Sequence, residues 1–371
     1  MSTSLMLRLR AAGTEAGLDA IGVTTAEPFV EAREAITERK AKELHGGMWF
    51  TYGRPERSTD PRRLLPESKS IIVGALGYHR QASGASDAGR GMVARYVWEP
   101  FYDQLRASLD AMAAVLVDEG HNAMVVLDDN RLVDRAAAHR AGLGWFAKNT
   151  NILLGELGSW FVLGSVLTDA DLPSATAPMD DGCGTCTRCQ TACPTGALDE
   201  AGVLDARRCL AWLVQADGVF PNEHRVALGG RLYGCDDCQT VCPPNVKRTR
   251  SEPSQALADD GVTSIDLVEL LLADDDVLME RHGSWYIPRR RAEYLRRNAL
   301  VALGNVASEA DPGPRRAVEA SLRSQHAVVR AHAVWAAKRL GHSDLLALVS
   351  DDTAEEVADE LSRSVEPATI R

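Results

Sequence analysis

The spacing of the cysteines constrains this chain more than any other feature of its sequence. All eight lie between positions 183 and 242, and the rest of the 371 residues contains none. Residues 183–194 follow the pattern Cys-x2-Cys-x2-Cys-x3-Cys-Pro, which is typical of segments that hold 4Fe-4S clusters. A second group at 235–243 also ends in Cys-Pro, and Cys209 lies alone between the two groups. The pattern predicts two 4Fe-4S clusters bound by eight thiolates.

The pattern also predicts how the thiolates are shared. In such runs the first three cysteines bind one cluster and the fourth reaches the other cluster. We therefore assign one cluster to Cys183, Cys186, Cys189 and Cys242, and the other to Cys193, Cys209, Cys235 and Cys238. The alternative is two structural zinc sites of four thiolates each. Pairs of the form Cys-x2-Cys suit zinc, but a third cysteine at the same spacing and a following Cys-Pro do not.

Composition places the chain among soluble multidomain proteins. It is 45% hydrophobic and 25% charged, and its length exceeds what one core needs. No run of eighteen apolar residues and no secretory leader are present, so we expect a cytoplasmic protein with no membrane association. Reduced thiols in that compartment favour metal ligation over disulfides. A formal net charge of -11 argues against general nucleic-acid binding, although a local basic patch stays possible.

Hydrophobic patterning divides the chain into three expected domains, at 1–172, 173–260 and 261–371. In the first, short apolar runs at 71–77 and 124–127 predict buried strands, and residues 101–119 between them have helical periodicity. This order of strand, helix and strand predicts an α/β domain within a multidomain α+β chain. Residues 171–182 are expected to be a linker into the ferredoxin-like cluster domain, and residues 243–260 a loop leaving it.

The third domain is expected to be helical. Residues 298–303 resemble residues 332–337, a period of 34 residues that suggests HEAT-like helical repeats. Between Glu280 and Asp344 there are twelve Arg and Lys but only six Asp and Glu. This excess indicates a phosphate-binding face, while an ordinary solvated helix surface is the alternative. The basic residues in question are Arg289, Arg290, Arg291, Arg296 and Arg297.

Candidate catalytic residues lie in the segment 127–161. Asp128 directly follows an apolar strand, and a carboxyl group at the end of a strand is well placed to deliver a proton into a crevice. Asp129 could instead cap a helix, and Asp134 and Arg135 could belong to a solvated helix face. No Gly-x-Gly-x-x-Gly follows a strand, which disfavours dinucleotide binding.

With these segments, the chain resembles the epoxyqueuosine reductases, which complete queuosine at the wobble position of tRNA. The resemblance is carried by the cysteine run, the Asp128 segment and residues 64–70, 140–149, 158–159, 208–209 and 231–243, and extends over nearly the whole chain. It implies cobalamin in the first domain, two 4Fe-4S clusters in the second, and a tail that helps to hold tRNA. It places the proton donor at Asp128. The cobalamin-binding residues that it implies are Asp128, Lys148, Asn149, Ile152, Ser159 and Leu210.

The implied partners are the anticodon stem-loop of tRNA and a low-potential electron donor such as a flavodoxin or ferredoxin, with the enzyme acting as a monomer. The sequence departs from the family at four positions: Ala94 replaces a Cys, Asp129 a Thr, and Asp217 a Lys, while Asp103 stands in Phe-Tyr-Asp where Asp-Tyr-His is usual. Two alternatives follow from these observations. One is a cobalamin and iron-sulfur reductase acting on another substrate, and the other is an iron-sulfur electron carrier.

Overall fold

The computed structural model describes residues 2–81, 89–251, 255–307 and 312–365. The strands are β1 Ala20–Thr25, β2 Ser70–Gly77, β3 Arg90–Val93, β4 Ala123–Leu127, β5 Trp145–Phe146, β6 Ile152–Leu153, β7 Phe161–Thr168, β8 Arg231–Tyr233 and β9 Ser264–Asp266. The first helices are α1 Ser2–Glu15, α2 Val30–Ala41, α3 Trp49–Tyr52, α4 Pro55–Ser58, α5 Phe101–Asp118, α6 Asp134–Arg140, α7 Arg188–Ala192, α8 Leu210–Leu213 and α9 Asn222–Leu228. The others are α10 Asp237–Thr240, α11 Pro243–Ser251, α12 Leu267–Leu272, α13 Asp275–His282, α14 Glu293–Val306, α15 Pro312–Leu322, α16 Ala327–Arg339 and α17 Glu355–Ser362. Within the described ranges, no helix is long and apolar enough to cross a membrane.

These elements form two compact units. The first unit contains Met1–Gln81, Glu99–Arg207 and Asp236–Asp259, and the second contains Ala82–Trp98, Arg208–Cys235 and Asp260–Arg371. The cysteine-rich segment contributes to both, since Cys209 and Cys235 belong to the second unit and the other six cysteines to the first. The expected domain boundaries near 172 and 260 stay a prediction.

The first unit is built on a sheet with strand order β1-β2-β7-β4. Strands β2 and β4 and helix α5 confirm the elements that the sequence predicts. However, every neighbouring pair of strands is antiparallel, so the parallel arrangement typical of an α/β domain is absent from this described sheet. The reason is β7, which comes later in the chain and lies between β2 and β4. As a result β2 and β4 end, and β1 and β7 begin, at the same edge of the sheet.

Helices cover both faces of this sheet, which explains why β2 is apolar at successive positions. Residues Ile71, Val73 and Ala75 face a core shared with helix α6, and α5 packs on the opposite face. There Gly74 and Gly164 are cross-strand neighbours, and a Cβ on either would lie within 3.0 Å of the Leu109 side chain. The two glycines therefore allow α5 to approach the sheet backbone closely.

The second unit combines the small sheet β8-β3-β9 with helices α12 to α17. Helix α16 packs against α14, α15 and α17, which confirms that this part of the chain is helical. The two similar hexapeptides lie in α14 and α16, and both are buried. Their interpretation as HEAT-like repeats stays a prediction.

The segment after the last cysteine differs from expectation. Residues 171–182 form no helix or strand, as predicted for a linker, but Pro243–Ser251 form helix α11 and not a loop. Proline is tolerated in the first turn of a helix because its missing N–H would have no partner there. Asn245 in this first turn is fully buried, so tertiary contacts hold the helix start in place.

Candidate active site and cluster-binding region

Asp128 lies directly after β4, at the sheet edge where β2 also ends. Its backbone has a φ of 47°, in the left-handed region that aspartate adopts more readily than most residues. The side chain is exposed, yet nearby protein and the neighbouring Asp129 carboxylate raise its pKa above the ordinary value. Asp128 is thus an accessible carboxyl group that keeps its proton more readily than a free aspartate.

Asp129 does not cap a helix, which was one interpretation of its position in the sequence. Its Oδ1 accepts hydrogen bonds from the Arg131 backbone N–H and from Arg131 Nε, both at 2.9 Å. The Arg131 guanidinium lowers the pKa of Asp129. Helix α6 begins after Val133, which makes no side-chain cap. Asp129 therefore fixes the turn after Asp128 and remains an anion beside it.

Asp134 begins helix α6, and its environment contradicts the interpretation as part of a solvated helix face. The residue is half-buried, and its Oδ1 is buried without a hydrogen-bond partner. Burial and then the charge of Asp128 raise the pKa of Asp134 well above its ordinary value. Arg135 is exposed, as that interpretation predicts, and donates a hydrogen bond to the Thr150 carbonyl oxygen at 3.5 Å.

Two tyrosine hydroxyl groups of the first unit lie within electrostatic range of Arg135. The charge of Arg135 acts on Tyr52 and on Tyr78, and burial raises the pKa of both phenols. Tyr78 also donates a hydrogen bond to Gln239 Oε1 at 3.4 Å. Sequence reasoning missed these residues because isolated tyrosines carry no motif. The site therefore combines two carboxyl groups with raised pKa values and a fixed anion, and the phenols of half-buried Tyr52 and buried Tyr78 lie within range of the Arg135 charge.

Lys148 and Asn149 connect this domain to the cysteine loops. Lys148 Nζ donates hydrogen bonds to the carbonyl oxygens of Gly184 at 2.6 Å and Cys186 at 3.0 Å. Asn149 is buried, and its Nδ2 donates to the Cys238 carbonyl oxygen at 3.3 Å. Lys148 and Asn149 are two of the residues that the resemblance assigns to cobalamin binding. Both are thus hydrogen-bonded to the backbone of the cluster-binding loops.

Ser159 takes part in a buried network centred on Asn245. Asn245 Oδ1 accepts from the Ser159 N–H at 2.8 Å, and its Nδ2 donates to Ser159 Oγ at 3.0 Å and to the Gln239 carbonyl oxygen at 2.8 Å. Gly158 precedes this contact with a φ of 73°, and a Cβ there would overlap Asn245 Oδ1. No sequence signal pointed to Asn245 beyond its place after Cys-Pro-Pro. The network fixes the start of α11 directly after the last cysteine.

The thiols assigned to the first cluster lie together within the first unit. Cys183, Cys186 and Cys189 act electrostatically on Cys242, and burial followed by these neighbours raises the pKa of the Cys242 thiol to about 12. Trp145 and Leu153 cover Cys242 with apolar surface. Four neighbouring thiols, of which Cys242 is covered by apolar side chains, fit a 4Fe-4S cluster, which is bound by thiolates.

The remaining assigned residues are placed as follows. Cys193 Sγ accepts a hydrogen bond from the Ala197 N–H at 3.3 Å, a contact that tunes sulfur ligands of clusters. Cys238 lies in α10, Cys209 directly precedes α8, and Cys235 follows β8. Ile152 is buried in β6, and Leu210 is buried in the second unit. Among the described residues, no group of three or more His, Cys, Asp or Glu side chains is arranged so that it could hold a metal ion.

Comparison with known proteins identifies the family. A model described as a 4Fe-4S double cluster binding domain matches residues 182–245, and one described as epoxyqueuosine reductase QueG, DUF1730 matches residues 58–129. An epoxyqueuosine reductase of Bacillus cereus is 34% identical over 361 residues, covering 94% of each chain. The chain belongs to the epoxyqueuosine reductase family. A Bacillus subtilis member of this family is 32% identical over 94% of the chain and 92% of its own length.

Solved structures of epoxyqueuosine reductases agree with this assignment. One, in complex with an epoxyqueuosine-modified stem loop of tyrosine tRNA, superposes with a TM-score of 0.88 at 30% identity over 97% of this chain and 98% of the other. A Bacillus subtilis structure, described with its aspartate catalytic loop swung out of the active site, has a TM-score of 0.88 and 31% identity over the whole of both chains. The mixed α and β fold is therefore that of the family.

The predicted family, enzyme class and cluster content are confirmed. The chain is an epoxyqueuosine reductase-type oxidoreductase that acts in queuosine synthesis on tRNA, and it carries a domain for two 4Fe-4S clusters. The double-cluster match decides against a pair of zinc sites. The enzymatic relatives decide against a plain electron carrier.

Proposed function

We propose that Asp128 is the general acid in the reduction of epoxyqueuosine at the tRNA wobble position. The observation that carries this proposal is the position of Asp128: an exposed carboxyl group with a raised pKa, directly after β4 at the edge where β2 ends. The expelled epoxide oxygen must be protonated, and a carboxyl group with a raised pKa holds the proton for this step more readily than a free aspartate. Asp129 keeps its own charge through Arg131 and so helps Asp128 to hold its proton.

Cobalamin is part of the proposal. When bound, it would supply electrons to the epoxide carbon from its cobalt. The residues proposed to hold it are Asp128, Lys148, Asn149, Ile152, Ser159 and Leu210. The geometry supports them unequally: Asp128 is exposed and available, whereas Lys148, Asn149 and Ser159 are hydrogen-bonded to the cysteine-rich segment. These three would orient the cluster-binding loops beside the cofactor.

The test is the variant Asp128→Asn, with Asp110→Asn on the exposed face of α5 as a control of equal charge change. We expect Asp128→Asn to retain iron and cobalamin absorbance while its turnover falls by about 10²- to 10⁴-fold. Asp110→Asn should match the unmodified protein. Full activity of Asp128→Asn in a single-turnover assay with epoxyqueuosine-containing tRNA would refute the assignment.

The two sets of cluster ligands are also a proposal. The electrostatic grouping of Cys183, Cys186 and Cys189 with Cys242 supports the first set. The anaerobically purified protein should contain eight iron and eight sulfide per chain, because each 4Fe-4S cluster contributes four of each. Cys209→Ser should damage one cluster and leave the other intact. Stoichiometric zinc with little iron, or loss of both clusters in this variant while the protein stays folded, would contradict the assignment.

We further propose that the exposed arginines of the second unit contact the anticodon stem-loop. Support comes from the family structure with a tRNA stem loop and from the exposure of Arg289, Arg290 and Arg291. Arg296 and Arg297 do not fit their predicted role: Arg296 is largely buried and paired with Asp275, and Arg297 is fully buried. A flavodoxin- or ferredoxin-type donor, a monomeric state and a cytoplasmic location stay predictions.

A further inference from the structure

We propose that the indole N–H of Trp145 donates a hydrogen bond to a sulfide of the 4Fe-4S cluster held by Cys183, Cys186, Cys189 and Cys242, and that this contact raises the reduction potential of that cluster. The inference deepens the proposed function and rests on this ligand set. It makes Trp145 a residue that controls electron uptake, and not one that contacts the substrate.

A short hairpin holds Trp145 against the first cysteine run. It consists of β5 and β6, in which Trp145 lies opposite Leu153. Both side chains pack in one buried cluster with Cys242, and Cys183 packs against that cluster. In the turn between the strands, Lys148 is hydrogen-bonded to the backbone of the same cysteine run. The hairpin and the run are thus fixed to each other by apolar packing and by hydrogen bonds.

The part of the indole ring next to its nitrogen lies against the start of this run. Gly182 directly precedes Cys183, and a Cβ on Gly182 would lie 2.5 Å from Cζ2 and 2.9 Å from Cε2 of Trp145. Cε2 is bonded to Nε1. The N–H is therefore on the portion of the ring that is close to the first ligand of the run.

This N–H has no acceptor in the protein. Trp145 Nε1 is buried, and no described residue accepts a hydrogen bond from it, the cysteine thiols included. Ala147 and Leu153, which pack with Trp145, have side chains without polar atoms. Buried donors in proteins are almost always paired, because an unpaired one loses its hydrogen bond to water. An inorganic sulfide is an acceptor that the chain itself cannot provide, so the residues at this site fit a cluster bound by the neighbouring cysteines.

A hydrogen bond of this kind changes the free energy of reduction. Reduction by the low-potential protein donor adds one electron to the cluster and makes its sulfurs more negative. A donor N–H stabilises the more negative form and so raises the reduction potential. Water that entered through a gap in the apolar cover would also stabilise the reduced form. Loss of the N–H and opening of the cover therefore shift the potential in opposite directions, which separates the two roles of this side chain.

The test is a redox titration of the anaerobically purified protein with both clusters bound, followed by electron paramagnetic resonance. Trp145 is replaced by benzothienylalanine, which keeps the bicyclic shape of the side chain but has a sulfur atom in place of N–H. We expect the equilibrium constant for one-electron reduction of the first cluster to fall about tenfold, a shift of about 59 mV to lower potential. The same replacement at buried Trp98 is the control, because its Nε1 already donates to the Val93 carbonyl oxygen at 2.9 Å. It should leave this potential unchanged.

A second readout detects the nitrogen directly. In protein labelled with ¹⁵N in its indole rings, pulsed electron paramagnetic resonance of the reduced first cluster should show a nitrogen coupling. Trp145→Phe should remove this coupling and Trp98→Phe should keep it. An unchanged or higher potential in the Trp145 benzothienylalanine variant, or the lack of a coupling in the unmodified protein, would overturn the inference.

The variant Cys209→Ser separates such a failure from a failure of the ligand assignment. By the proposed ligand sets this variant keeps the first cluster, so the shift caused by replacing Trp145 should persist in it. A retained cluster whose potential does not depend on Trp145 would count against the inference alone. Loss of the Trp145-dependent cluster in Cys209→Ser would instead overturn the ligand sets, and with them the identity of the cluster that Trp145 contacts.

Discussion

Gly158 provides a sharp test of how the cysteine-rich segment is held in the first unit. Its φ of 73° and ψ of -143° belong to a backbone region that residues with a Cβ rarely adopt. A Cβ at this position would also overlap Asn245 Oδ1, which is fully buried. The substitution Gly158→Ala therefore combines backbone strain with a displaced Asn245 side chain.

The expected cost can be estimated from these two effects. Backbone strain of this kind costs on the order of 1–3 kcal/mol. Moving Asn245 weakens its hydrogen bonds with Ser159 and Gln239, each worth about 1 kcal/mol net and more where a buried group is left without a partner. Together we expect a loss of roughly 4 kcal/mol in the free energy of unfolding.

Gly155 is the matched control in the same loop. It also has a positive φ, 51°, but a Cβ there would meet no atom within 4 Å. Gly155→Ala should therefore cost only the strain, about 1 kcal/mol. The difference between the two variants isolates the contact with Asn245.

The assay is urea unfolding of the cluster-loaded protein under anaerobic conditions, followed by circular dichroism and by the absorbance of the clusters. Gly158→Ala should lower the unfolding midpoint about four times as much as Gly155→Ala, because the midpoint shift is proportional to the lost free energy. Asn245→Ala should be less harmful when added to Gly158→Ala than to the unmodified chain, because the overlap is then relieved. Equal midpoints for the two glycine variants would refute the reasoning.

Three further predictions concern charged residues. Asp217 pairs with Arg289 at 2.8 Å, so Asp217→Asn should free Arg289, strengthen tRNA binding and steepen the log-log slope of binding against salt concentration by roughly 0.7–0.9. An unchanged slope would show that Arg289 is not part of the tRNA interface. Buried Arg297 donates hydrogen bonds to backbone carbonyl oxygens at 2.6–3.3 Å, so Arg297→Met should lower the free energy of unfolding by about 3 kcal/mol or more. The salt dependence of tRNA binding should not change specifically, and thermal unfolding and a salt titration measure the two effects separately. Asp134→Asn should be more stable than the unmodified protein at pH 8 but not at pH 4, because the raised pKa of Asp134 stabilises the folded state at low pH and this contribution is lost as pH rises. Parallel curves of unfolding free energy against pH for the two proteins would contradict a raised pKa for Asp134.

The sequence determined features that depend on short segments. Cysteine spacing was enough to predict two clusters, since the ligands of such a site come from one run and a few later thiolates. Continuous apolar residues predicted β2 and β4, and helical periodicity predicted α5. The position of Asp128 after β4 also followed from local pattern alone.

Only the tertiary structure decided which of these segments meet. Insertion of β7 between β2 and β4 made the sheet antiparallel, and strand order depends on pairings between residues far apart in the chain. Burial had the same origin: Asp134 and Arg297 carry charged groups that a sequence pattern assigns to the surface, yet the packing of α6 and α14 encloses them. The chain encodes its cofactor chemistry locally, whereas the protonation of its acids is set by the neighbours that folding brings around them, because burial and nearby charge are properties of the packed structure.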